Sequence, residues 1–245
     1  MTPFEWIGVA AALSLGVFVQ AATGFAAGMI SIPILMSLGH SIPAAQAALL
    51  IATFPQNAVG IFRYRSEIDF RSMSLPAGVR ILFFPIGIAT LVWLQNNAAD
   101  RLRLVVSLFI LTATLVTIIF RPQPRESVSR SWSLLVFPLS GFFQGVVGMG
   151  GPVLVLWVQA HDWSTRRARG FLFTMFIVSM APAFLVLTYQ FGSQIFPAAN
   201  AALLTIPVLL VVTRLGLWSG DRLGRHRLRL VSYALLLVIG LSGLI

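Results

Sequence analysis

The chain has 245 residues, 58% hydrophobic and 10% charged, with a mean hydropathy of +0.90. A soluble domain carries about 45–50% apolar and about 25% charged residues, so lipid rather than water must solvate most of these side chains. The net charge of +10 comes from 17 arginines and no lysine. These arginines lie in short connections between apolar spans, where positive-inside bias accounts for them, and nucleic acid is not an expected partner.

In chain order, apolar segments fall near 4–38, 44–62, 75–94, 101–120, 132–160, 168–190, 198–216 and 228–245. The N-terminal stretch lacks the basic region of a secretory signal and reads as a mature segment. The first and fifth segments are too long for one upright helix at 1.5 Å per residue. Each carries a glycine-rich interruption that predicts either one long broken helix or two short half-helices folded into a hairpin.

The interruptions share a core. Gln20-Ala-Ala-Thr-Gly24-Phe-Ala-Ala-Gly28 and Gln144-Gly-Val-Val-Gly148-Met-Gly-Gly-Pro152 are Gln-x-x-x-Gly words 124 residues apart. Further on, Pro85 matches Pro207, and Leu102-Arg-Leu-Val105 matches Leu228-Arg-Leu-Val231, at similar offsets. Two like halves with broken segments in corresponding places are the pattern of repeat-built transporters, whose substrate sites lie where the breaks meet. The expected architecture is an all-α integral membrane protein of two inverted repeats, 1–122 and 123–245, forming one membrane domain with a glycine-rich hairpin in each half.

Charge orients the halves. If every segment crossed once from a cytoplasmic N-terminus, ten of the 17 arginines would lie outside, against the positive-inside rule. If 132–160 enters and leaves on one side, the loops at 62–80, 121–131, 161–169 and 214–229 share the cytoplasmic face. Only Arg101 and Arg103 are then outside. By symmetry 4–38 is also a hairpin, giving five short segments per half and an external N-terminus.

At the second break, Gly148, Met149, Gly150 and Gly151 permit a tight turn, and Pro152 suits the first position of a following half-helix. Such a helix start points free N–H groups and a positive dipole end into the bilayer, a place for an anion. The first break offers Thr23, Gly24 and Phe25, with a hydroxyl at Thr23, and Gln20 and Gln144 stand one turn before each break. The alternative for the same glycines is close helix packing. Gln56 and Asn57, after Pro55, either line a pathway or satisfy one another and the backbone. Arg80 and Arg214 read as near membrane ends, able to snorkel to the interface, with attraction of an anion at the cytoplasmic mouth as the alternative. Thr174, Ser179, Thr205 and Asn200 read as ordinary polar residues of membrane helices.

The seven acids and three histidines all read as loop or end positions. That leaves no buried carboxylate for a proton relay or cation site, and neither an enzyme nor a cofactor is expected. Without cysteine there is no disulfide, thiolate metal site or thiol chemistry.

The Gly24-Phe-Ala-Ala-Gly28 segment leading to Pro33, the stretch from Gly145 to Pro152-Val-Leu, and the basic loop before a final Leu-rich helix resemble the TauE/SafE family of sulfite-exporter-like membrane proteins. The first copy departs from the fuller pattern, with Ala26 and Ala27 where the second has Gly150 and Gly151. The resemblance implies outward transport of sulfite, sulfoacetate or related organosulfonates across a bacterial inner membrane. The residues alone reach a small anionic substrate held in a lipid bilayer protein. They leave open a homo-oligomer, and also a non-transporting scaffold that uses its glycines for packing.

Overall fold

The computed structural model describes residues 3–120, 124–126, 128–222, 233–234 and 236–241. Among the described residues, the helices are α1 (Pro3–Thr23), α2 (Ala27–Ser37), α3 (Ile42–Tyr64), α4 (Phe70–Asn97), α5 (Leu102–Ile119), α6 (Arg130–Val147), α7 (Gly151–Gln159), α8 (Thr165–Phe191) and α9 (Phe196–Arg222), with a further helical stretch near the C-terminus. The protein is an all-α membrane protein. Among the described residues, five stretches are long and apolar enough to cross a bilayer, namely those containing α1, α3, α4, α5 and the joined α8–α9 run. Large apolar side chains such as Leu75, Leu82, Ile119 and Leu204 stand outward on these helices, as lipid rather than water requires. Of the last predicted segment, 228–245, only 233–234 and 236–241 are described, and they are helical. The Leu228–Val231 word lies outside the described residues.

Both long segments break where glycine falls, but unequally. A 21-residue helix precedes the first break and an 11-residue helix follows it. The second break separates 18 residues from nine. At 1.5 Å per residue, α2 and α7 reach only about halfway through a ~30 Å core. They double back along their predecessors. The Ser31 hydroxyl of α2 donates to Ala12 O of α1 (2.9 Å), and Trp157 Nε1 of α7 donates to Ser133 Oγ of α6 (3.0 Å).

Elsewhere, glycine brings main chains together. A Cβ on Gly141 or Gly145 of α6 would overlap the carbonyl oxygens of Arg80 or Phe84 on α4, and one on Gly87 would overlap Phe142 O. On α9, Gly216 and Gly220 meet α1 likewise: a Cβ there would sit 2.7 Å from Phe18 O and 2.6 Å from Ala22 O. These are small-residue helix crossings of the membrane kind, so close packing is the use of Gly145. Gly145→Val should force α4 and α6 apart and cost about 1–3 kcal/mol or more, read as a lowered melting temperature in detergent. Gly78→Val, where a Cβ meets nothing within 4 Å, should leave that temperature nearly unchanged.

Candidate functional site

α4 starts earlier than its apolar run. Asp69 caps it, its carboxylate accepting from Arg71 N (3.1 Å) and Ser72 N (3.4 Å). A start at Phe70 carries Arg80 ten residues, about 15 Å, into the helix. The snorkelling position expected for Arg80 is therefore wrong: it is 2% exposed. Its guanidinium spans three helices. Nε donates to Ser140 Oγ on α6 (3.0 Å), Nη1 donates to Met175 O on α8 (3.1 Å) and to Ser179 Oγ, and Nη2 donates to Gln144 Oε1 on α6 (3.3 Å). The Phe176 ring lies 5.8 Å from the guanidinium carbon, within cation–π range. Every acceptor is a neutral dipole.

Those bonds reach the second break. Gly148, at φ 72°, ends α6, with its N–H on Gln144 O (3.0 Å) and Met149 N on Phe143 O (3.3 Å). This is a left-handed helix terminus that glycine adopts readily. Gln144 Oε1 also accepts from Gly150 N (3.1 Å), and Ser140 Oγ donates to Gly150 O (2.9 Å). Gln144 and Ser140 thus hold the break and the cation together, and α7 begins at Gly151 with Pro152 in its first turn.

The first break is made differently. Gly24 takes φ 94° and Ala26 φ 86°, and Gly24 N closes on Gln20 O (2.7 Å). The Thr23 hydroxyl lies within hydrogen-bonding range of Val19 O (2.8 Å) and Phe25 O (3.0 Å), so it serves the turn itself.

Between the breaks lies a cavity of about 50 Å³, counted as space for the centre of a water molecule. That is room for roughly four groups of water size. Gln20, Gln144, Gly148, Met149 and Gly151, five of the sequence candidates, line it. The first turns of α2 and α7 line it as well, through Gly28 and Met29 and through Gly151 and Pro152. Arg80, Thr53 and Ser179 complete the polar wall, and none of the described lining residues is an acid. The Gln20 side chain, 6% exposed, hydrogen-bonds to no described residue. Gly150 stands behind the wall, acting through Gln144.

The other candidates are elsewhere. Thr23, Gly24 and Phe25 form the α1–α2 turn and do not line the cavity. Gln56 Nε2 donates to Val17 O (3.2 Å) and Asn57 Nδ2 to the Met180 sulfur (3.8 Å). Arg169, counted with the cytoplasmic loop, instead turns inward on α8, 7% exposed, donating to Ala22 O (2.8 Å) and Tyr64 Oη (3.3 Å). Arg214 is exposed. Arg80, Ser140, Thr53 and Ser179 were not among the sequence candidates. Asp69 before Phe70, a helix-capping signal, was the clue that placed Arg80 deep.

In a multi-pass membrane protein, one cavity thus gathers a buried guanidinium with no carboxylate partner among the described residues, two helix starts and two glutamines. The sequence model described as Sulfite exporter TauE/SafE matches residues 8–243, and the chain belongs to that family. It is a family of transporters of sulfite or related anions, not of enzymes. No curated protein and no solved structure matches the chain.

Arg80 tests the site. Replacing a buried ion by an apolar side chain of similar length is often neutral or stabilising, and Ser140, Ser179 and Gln144 each keep another bond or acceptor role. Arg80→Met should therefore keep or raise the melting temperature. It should weaken anion binding by about 10- to 150-fold, the range for a lost charge-assisted hydrogen bond; calorimetry and thermal denaturation read the two effects separately.

Proposed function

We propose that the protein is a secondary carrier that exports a small sulfur oxyanion such as sulfite across a bacterial inner membrane. It works by alternating access, with two inverted halves moving about the cavity between the glycine breaks. The observation that carries this reading is the Arg80 guanidinium, buried with no carboxylate partner among the described residues, on the wall of a cavity sized for a few heavy atoms. A dry, unneutralised cation is costly, and a bound oxyanion supplies the missing charge. The first turns of α2 and α7 add main-chain N–H donors and positive dipole ends, so binding needs no lysine and no metal.

The exchange of partners between halves supports the inverted arrangement. α4 of the first half packs on α6 of the second, while α1 of the first packs on α9 of the second. Shifting by 124 residues turns the first pair into the second, as a two-fold relation demands. Asn57 and Met180, 123 residues apart, meet directly.

Transport is tested in proteoliposomes. Radiolabelled sulfite should cross faster with the protein than in empty vesicles, and folded protein with no flux of sulfite or any organosulfonate sinks the proposal. A Cβ on Gly151 meets only the Phe176 ring, at 3.5 Å, so Gly151→Val should fold normally and abolish flux by filling the cavity. Unchanged affinity in that variant would remove α7's start from the binding wall.

Orientation is tested by single cysteines in this cysteine-free chain. Arg166 at the start of α8 and Ser193 beyond its end are both exposed. Arg166→Cys should react only with a reagent admitted to the cytoplasm, and Ser193→Cys with an impermeant reagent in intact cells. The reverse pattern would overturn the assigned sidedness.

A further inference from the structure

A helix leaves the carbonyls of its last turn without partners of its own, and at each break a side chain from the other half of the chain takes one. Gln46, in the second turn of α3, donates from Nε2 to Gly145 O in the last turn of α6 (3.0 Å). Arg169, in the second turn of α8, donates from Nη2 to Ala22 O in the last turn of α1 (2.8 Å). Arg169 follows Gln46 by 123 residues and Gly145 follows Ala22 by 123, the spacing that also separates Asn57 from Met180. Each donor lies beside the left-handed glycine of the break it holds. A Cβ on Gly148 would stand 2.7 Å from Gln46 Cγ, and one on Gly24 would stand 4.0 Å from Arg169 Cγ.

The two bonds close opposite ends of one helix pair. α3 and α8 run antiparallel, since Ala47 shares an apolar cluster with Leu187 while Tyr64 stacks on Phe173. Arg169 Nη1 also donates to Tyr64 Oη (3.3 Å), roughly 27 Å along α3 from Gln46. The cavity takes its α3 and α8 walls from Leu49 to Thr53 and from Phe176 to Ala183, between those ends. We propose that Gln46 and Arg169 are the two gate latches of the carrier. Each pins the glycine break at one end of the cavity, and movement to either side releases one latch while the other stays made. The inference rests on alternating access about that cavity. By the arginine bias the Gln46 end faces outward and the Arg169 end faces the cytoplasm. The latches are unequal. Gln46 makes one neutral bond, and its Oε1 has no partner among the described residues. Arg169 makes charge-assisted bonds to two helices, which are the stronger kind.

The reporter is Thr53→Cys, on the cavity wall of this cysteine-free chain. An impermeant maleimide is applied without sulfite, to intact cells for the outer face and to inverted vesicles for the cytoplasmic face. In this background Arg169→Met should speed labelling from the cytoplasmic face about 10- to 150-fold, the range for a lost bond to a charged group, with no gain from outside. Gln46→Met should speed labelling from outside only, by about 2- to 12-fold, the range for a neutral bond. If Arg169→Met does not fold, Tyr64→Phe removes one acceptor at little change in volume. It should speed cytoplasmic labelling by at least about twofold. A purely structural capping role lowers the melting temperature and changes labelling at both faces alike. That result, or unchanged labelling at either face in folded protein, overturns the latches. Side-specific labelling in a protein that carries no sulfite supports the latches and sinks the oxyanion reading instead. Sulfite flux with labelling insensitive to every variant overturns the latches alone.

Discussion

A positive charge in the middle of a membrane helix must be satisfied locally, because neither lipid nor bulk water will do it. Arg80 is satisfied by dipoles alone: two serine hydroxyls, a glutamine oxygen and a main-chain carbonyl. The break in α6 depends on the same set. Gln144 Oε1 accepts from both Arg80 and Gly150 N, and Ser140 accepts from Arg80 while donating to Gly150 O. The irregular backbone at Gly148–Gly150 is therefore held by the same two side chains that hold the cation in place. Non-helical chain at membrane depth is tolerated where it is buried in protein or faces a cavity, and here both conditions hold.

Close packing sets the reach of those bonds. Gly141 and Gly145 bring the α6 main chain against Arg80 O and Phe84 O of α4. Ser140 and Gln144, beside them on α6, then lie within 3.0 and 3.3 Å of the guanidinium. Bulkier residues would separate the axes by ångströms, and a hydrogen bond does not survive such a displacement. Close packing and open space are thus divided among positions. Gly145 packs, whereas Gly151 leaves space.

Much of this was legible because glycine and proline constrain the backbone wherever they stand. The breaks at Gly24 and Gly148, the membrane class and Gln20 and Gln144 beside the cavity follow from local sequence. Direction and depth do not. Gln56 and Asn57 are polar and buried, yet Thr53, one turn earlier on α3, lines the cavity, while they are held by Val17 and Met180. A shift of about 5 Å along a helix leaves no mark on composition. Arg80 was misplaced because the polar first turn of α4, Arg71 to Ser74, looks like loop to a hydropathy reading, although Asp69 caps a helix there. Thr23 was credited with a hydroxyl for substrate, but neighbouring carbonyls occupy it. Local competition of that kind is visible only once the turn is folded.

The two breaks touch through main chain: a Cβ on Gly28 would stand 2.8 Å from Gly148 O. That contact has no side chain to exchange for another of different size or polarity. Substitution can obstruct it but has little means of reshaping it. A second pocket, between α4 and α8 beyond Arg80, has isoleucine, phenylalanine, proline and valine in its wall, each replaceable by a neighbour in volume. In a lineage diverging from this chain, the contact between the breaks is the part least open to gradual change, and the pocket beyond Arg80 is free to drift one side chain at a time.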